Sequence, residues 1–272
     1  MLTYYSPNIK NTSLFSNVNN FLKLFEGNNF KEIWNLYIGY CKALGRTVGD
    51  VSFREGIGNI NVMGIKRDPE IHFNSSEAFY NDILVVSQNV ENGQKFYVYK
   101  VTMDPKNKKN KIAHLLLGMY DSYNIRPHRW ISSRIAICQD RDEVFIARTD
   151  KKGNVINAVP YNGLFGINIH DSDIFINTSL GCTVLEKDSI HNKYHYKKSL
   201  KPLLKTVANV DNIVYAVASL ETLSRIYYSE HVADDLPFLP MDSPVFTVAV
   251  DKKASLIKKY FPVIHSLWER LR

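Results

Sequence analysis

The sequence predicts a mainly β domain, a sandwich or small barrel, with helical additions at its N- and C-terminal ends, α+β overall. Three observations lead there. Between residues 59 and 186 short apolar runs recur at close spacing, separated by turn-forming residues. Aromatic residues make up 12% of the chain, with 16 Tyr and 14 Phe, a composition that suits strands. Outside this stretch the apolar spacing shifts to that of helices. The chain of 272 residues then divides into a helical segment over 1–50, a β-rich domain over 51–198 and a helical extension over 199–272.

Helices are expected over 13–26 and 29–45, with Ser13 and Asn29 as caps of their first turns. In the second, Phe30, Ile33, Trp34, Tyr37, Ile38, Cys41 and Leu44 recur every 3.6 residues and form one apolar face. Gly45 stands where a left-handed C-terminal residue is expected. Alternation over 59–65 predicts a strand, and 82–87 predicts another. The Asn92-Gly93 turn then leads into a strand over 95–101, a hairpin signal. Lys106–Lys111 is a charged, solvated loop. Further strands are expected over 112–119, 131–138, 143–148, 154–158, 164–169 and 173–177. Residues 199–229 read as helical, with Leu203, Leu204, Val207, Val210, Ile213, Val214 and Val217 along the run. A proline-bearing extended segment over 234–244 precedes a final amphipathic helix over 251–271, kinked at Pro262.

The net charge of +7 favours anionic partners, such as nucleic acid, a membrane surface or a cell-wall polymer. No nucleic-acid-binding motif is visible, so no nucleic-acid partner is expected. Cys41, Cys138 and Cys182 are too few and too widely spaced for a disulfide framework. None has the CxxC spacing of a zinc site, and neither a metal nor a cofactor is expected. Cys41 and Cys138 lie in apolar runs and read as packed thiols. The N-terminus lacks the basic and apolar regions of a secretory signal, and no run is long enough to span a membrane.

One pair of residues carries chemistry. His170 ends the run Phe165-Gly166-Ile167-Asn168-Ile169-His170, and Cys182 follows within Ser179-Leu180-Gly181-Cys182. An imidazole beside a thiol can take its proton and later return it to a leaving amine. Gly181 allows a turn that other residues resist and lets a substrate carbonyl approach. Ser179 can hydrogen-bond within that turn, and Asp171 or Asp173 can orient the imidazole. Asp171 faces away from His170 if the strand continues, which favours Asp173.

The same residues resemble a family. Ser179-Leu180-Gly181-Cys182 looks like the S-x-G-C signature of L,D-transpeptidase catalytic domains. The run Gly163-Leu164-Phe165-Gly166-Ile167-Asn168-Ile169-His170 is similar to a G-x-F-G-I-N-I-H motif of L,D-transpeptidase-like proteins of bacteriophages and their hosts. Asn59–Val62, Phe79–Asp82, Thr102–Pro105, Tyr120 and Pro127-His128-Arg129 are weaker matches, and the likeness covers roughly 30–186. The resemblance implies a mostly β catalytic domain with Cys182 as nucleophile and His170 as base. It implies a peptidoglycan stem peptide as substrate, with His128 and Arg129 near its carboxylate. The chain departs from the pattern at Val184, where the family carries arginine, at Asp171, often glycine, and at Leu180, often histidine or alanine. The missing arginine favours hydrolysis, or a retired site, over transpeptidation.

Two readings follow. One is a phage-associated cysteine peptidase or transpeptidase acting on peptidoglycan, delivered by a virion or released from the host cytoplasm. The other is a virion component, of the tail or tail hub, that keeps the fold with little or no activity and contacts other virion proteins.

Overall fold

The computed structural model describes residues 29–66, 82–103, 112–128, 135–150, 155–156, 159–171, 181–185, 199–219, 222–223 and 226. The chain divides into two compact units, Met1–Leu36 with Ile226–Arg272, and Tyr37–Arg225. Helix α1, Asn29–Ala43, runs through the first division. Phe30, Ile33, Trp34, Tyr37, Tyr40 and Cys41 are buried on it. Ile38 and Leu44, expected on that face, are half-buried. Gly45 ends the helix at φ +62°, with Gly45 N–H donating to Lys42 O and Arg46 N–H to Cys41 O. This is the Schellman closure, which needs a left-handed residue at that point.

The second unit is mainly β. Its strands are β1 (Thr47–Val48), β2 (Ile60–Lys66), β3 (Asp82–Val90), β4 (Gly93–Thr102), β5 (Ile112–Leu115) and β6 (Gly118–Pro127). They continue with β7 (Ile135–Gln139), β8 (Val144–Thr149), β9 (Tyr161–Gly163), β10 (Ile169–Asp171), β11 (Thr183–Leu185) and, after the short helix α2 (Lys201–Leu204), β12 (Ile213–Ser219). The larger sheet runs β1-β6-β12-β2-β3-β4-β11-β10-β7, and β7 also pairs with β6. The last pairing closes eight strands into a barrel, with β1 added beside the first half of β6. Of the two expected architectures, the barrel is the one observed. The second sheet is β5-β8-β9.

The expected β3–β4 hairpin forms, with its turn one residue earlier than expected, at Glu91-Asn92. Val90 pairs with Gly93, leaving a two-residue loop, and Gly93 has φ +120°. The core includes Ile60, Val62, Leu84, Val86, Tyr99, Val101, Ile137, Ile169, Leu185, Ile213, Tyr215 and Val217. Gly64 makes room inside it: a Cβ there would meet the Tyr215 hydroxyl and lie 2.6 Å from Met103 Cε. Tyr215 stands edge-on to Tyr123 at 5.3 Å, and its hydroxyl shares a 3.0 Å hydrogen bond with Thr183 Oγ1. Leu200, Leu203 and Leu204 of the α2 region join the same core.

Two expectations are corrected. The helix expected over 199–229 gives way to α2 and strand β12, which pairs parallel with β2 and antiparallel with β6. All seven residues of β12 are buried, so the run carries no alternation from which a strand can be read. The strand expected over 164–169 is broken as well: β9 ends at Gly163 and β10 begins at Ile169. Gly166 turns the chain at φ +66°, and the side chain of Gln139 takes the N–H groups of Phe165 and Ile167. The expected elements over 13–26, 173–177, 234–244 and 251–271 lie outside the described residues.

Candidate active site

The site is built on β10, which lies between β7 and β11. Ile169 faces Ile137 on β7 and Thr183 on β11, and both isoleucines are in the core. Side chains alternate along a strand, so their neighbours turn to the outer face of the barrel. His170 is level with Val184 in the parallel register. Cys182 stands just before β11, two positions ahead of Val184. Thr183 N–H donates to Asn168 O at 2.8 Å, which carries the pairing back towards the cysteine.

Gly181 sits just before the thiol at φ +150°, and a Cβ on it would lie 3.0 Å from Ala113 O. The turn therefore requires glycine on conformational and steric grounds. The thiol of the half-buried Cys182 donates to Gly166 O at 3.7 Å. Cys41 and Cys138 are buried, and burial pushes their thiols up to about 12 and about 11 respectively. Of the three thiols, Cys182 is the one open to a substrate.

His170 is half-buried, and its Nδ1 lies 2.8 Å from the carbonyl of Asp171. A carbonyl only accepts, so Nδ1 carries the proton and the lone pair of the neutral ring is on Nε2. The orienting group is thus the backbone of Asp171. Its carboxylate serves elsewhere, accepting from Ser199 Oγ and, at 2.9 Å, from Leu200 N–H. This agrees with the expectation that the Asp171 side chain faces away from His170.

His128 reaches the same place from the end of β6. Its ring stacks on that of His170, with centroids 4.3 Å apart and planes 23° from parallel. It is buried, at 4% exposure, so it meets the candidate base rather than lying open to a substrate carboxylate. Asn168 Nδ2 donates to His128 Nδ1 at 3.3 Å, while its Oδ1 accepts from Gln139 N–H at 2.9 Å. Val184, where the resemblance calls for arginine, is buried. Ser179, Arg129 and Asp173 lie outside the described residues.

Sequence reasoning missed Gln139 and the use made of Asn168. Asn168 stood in the quoted motif without a role, and nothing local marks Gln139. The side-chain partners that tie it to the loop before β10 are 24 to 28 residues away along the chain.

Among the described residues, no three His, Cys, Asp or Glu side chains gather as a metal site. No helix among them is long and apolar enough to cross a membrane. The chain matches none of the protein-family models, curated proteins or solved structures with which it was compared.

Proposed function

We propose that the protein is a phage-associated cysteine peptidase acting on peptidoglycan stem peptides, with Cys182 as nucleophile and His170 as base. The observation that carries this reading is that the half-buried Cys182 stands just before β11, whose Val184 is level with His170 on the adjacent β10. In this reading Nε2 acts as the base, since Nδ1 donates to the Asp171 carbonyl. The likeness of the Gly163–His170 and Ser179–Cys182 runs to L,D-transpeptidase-like motifs supplies the substrate class, and a net charge of +7 suits an anionic wall.

In this mechanism the thiol proton passes to His170 Nε2 as sulfur attacks the scissile carbonyl carbon. The tetrahedral oxyanion collapses, the C–N bond breaks, and the leaving amine takes the proton from His170. Water then attacks the thioester, giving up a proton through His170, and releases a carboxylic acid and the free thiol. Val184 in place of arginine favours water over an amine acceptor.

Digestion of purified peptidoglycan tests this directly. The wild type should release soluble fragments with new amino groups, and Cys182→Ala should abolish the release. Release unchanged by that substitution would refute the mechanism. A wild type that leaves the wall intact, yet co-purifies with virions, would favour the tail-component reading instead.

A further inference from the structure

Gln139 ends β7, is 5% exposed, and bonds to the loop that receives the Cys182 thiol and to the asparagine that faces His128. Its Oε1 accepts from Phe165 N–H and Ile167 N–H, each at 3.1 Å. Its Nε2 donates to Gly163 O at 3.0 Å and to Asp142 O at 3.1 Å. A primary amide has two acceptor sites and two donors, and all four are in use. Three of these bonds clamp the loop 163–167, whose Gly166 carbonyl accepts the Cys182 thiol.

The backbone N–H of Gln139 acts on the other half. It holds Asn168 Oδ1, which leaves the Asn168 NH₂ facing His128 Nδ1. An NH₂ only donates, so His128 Nδ1 bears a lone pair and the neutral ring carries its proton on Nε2. That ring stacks on His170. Bonds held in a buried network are costly to break singly, which makes the arrangement rigid.

We propose that Gln139 is a positioning residue that sets the thiol loop through its side chain and the stacked imidazoles through its backbone N–H and Asn168. The proposal rests on the reading of Cys182 and His170 as the reacting pair. It differs from a general role in packing, because it assigns a tautomer to His128 and a common support to sulfur and imidazole. Residues that hold a reacting group in place matter through geometry rather than contact with the substrate.

The test uses full-length ¹⁵N,¹³C-labelled protein and two near-isosteric variants. Gln139→Met removes the four side-chain bonds at nearly constant volume, and Asn168→Asp keeps the acceptor for Gln139 N–H but loses the donor to His128. Imidazole ¹⁵N spectra should show a non-protonated His128 Nδ1 in the wild type and a protonated one in Asn168→Asp, with the His170 signals displaced. In Gln139→Met, which keeps the backbone N–H, the Cys182 ¹³Cβ signal should move while His128 keeps a non-protonated Nδ1, and exchange of the Phe165 and Ile167 amides should quicken about tenfold or more. On peptidoglycan, both variants should lose about tenfold in kcat with KM within about twofold. An unmoved Cys182 signal in folded Gln139→Met, or unmoved imidazole signals in folded Asn168→Asp, would overturn the proposal; if Gln139→Met fails to fold, Gln139→Glu, which loses both donor bonds, takes its place. Displaced signals in a protein that never cleaves peptidoglycan would keep the positioning role and refute the substrate, so the two failures are distinguishable.

Discussion

The imidazole of His128 lies on the imidazole of His170, with ring centroids 4.3 Å apart and planes 23° from parallel. Stacking at this distance suits two neutral rings, or one neutral and one charged, because two imidazolium charges would repel. His128 therefore restrains His170 from one side while the Asp171 carbonyl holds its Nδ1. Replacing His128 by Ala should leave the fold intact but free the His170 ring. The expected result is about a tenfold fall in kcat on peptidoglycan with little change in KM. A larger change in KM than in kcat would instead return His128 to a substrate-binding role.

Thiol labelling should single out Cys182. Burial pushes the Cys41 thiol up to about 12, with the Tyr37 hydrogen bond and Arg46 opposing it. Burial, then the charge of Asp140, pushes Cys138 up to about 11. At pH 8 such thiols are ionised to about 0.1% or less, and both are also shielded from reagent. Iodoacetamide on the native protein should add one label, lost in Cys182→Ala and raised to three in denaturant. Intact-mass measurement reads the count, and a label on Cys138 before Cys182 would contradict the assignment.

Gly64 should tolerate no side chain. A Cβ there enters the space of the Tyr215 hydroxyl and the Met103 thioether inside the barrel. Gly64→Ala should cost about 1–3 kcal/mol in urea unfolding, the range for overpacking a closed core. Gly39 has open space around its Cβ position, so Gly39→Ala in α1 should be neutral or slightly stabilising. Equal effects of the two would remove the argument.

The Asp171 side chain should matter for stability and not for reactivity. Its carboxylate accepts from Ser199 and Leu200 just ahead of α2, while its backbone carbonyl orients His170. Asp171→Ala should lower stability by about 1–2 kcal/mol, as loss of hydrogen bonds to a charged group does. Cleavage by the folded fraction should stay within about twofold of wild type. Loss of cleavage in a fully folded variant would show that the carboxylate itself reaches His170.

Acid sensitivity should depend in part on Asp50. Its carboxylate accepts from Ser52 Oγ at 2.6 Å, from Ser52 N–H at 3.0 Å and from Arg54 at 2.8 Å. The Ser52 bonds, then Arg54, hold it well below the usual carboxylate range. A carboxylate that ionises more readily when folded stabilises the fold above about pH 4, and that contribution is lost as pH falls further. The side chain is 64% exposed, so screening limits the effect to a few tenths of a kcal/mol, roughly. Asp50→Asn should be slightly less stable than wild type at pH 7, and the gap should narrow as pH falls below about 4. A gap in urea midpoints that widens on acidification would reverse the sign.

What the sequence determined by itself is what short stretches encode. The mainly β class, the β3–β4 hairpin and the Gly45 stop of α1 rest on alternation and turn residues a few positions apart. The candidate thiol and imidazole were legible in the same way, since Gly181 and the apolar runs flank them closely. Tertiary structure decided the rest. Closure of the barrel needs β12, whose seven buried residues erase the alternation that marks a strand. The loop before β10 departs from a strand because Gln139, some 28 residues earlier, takes its amide hydrogens. His128 joins His170 across about 40 residues, through an asparagine whose amide another strand orients. Hydrogen bonds and ring contacts between distant positions leave no periodic trace in a sequence, so which groups share the site is settled only when the strands pair.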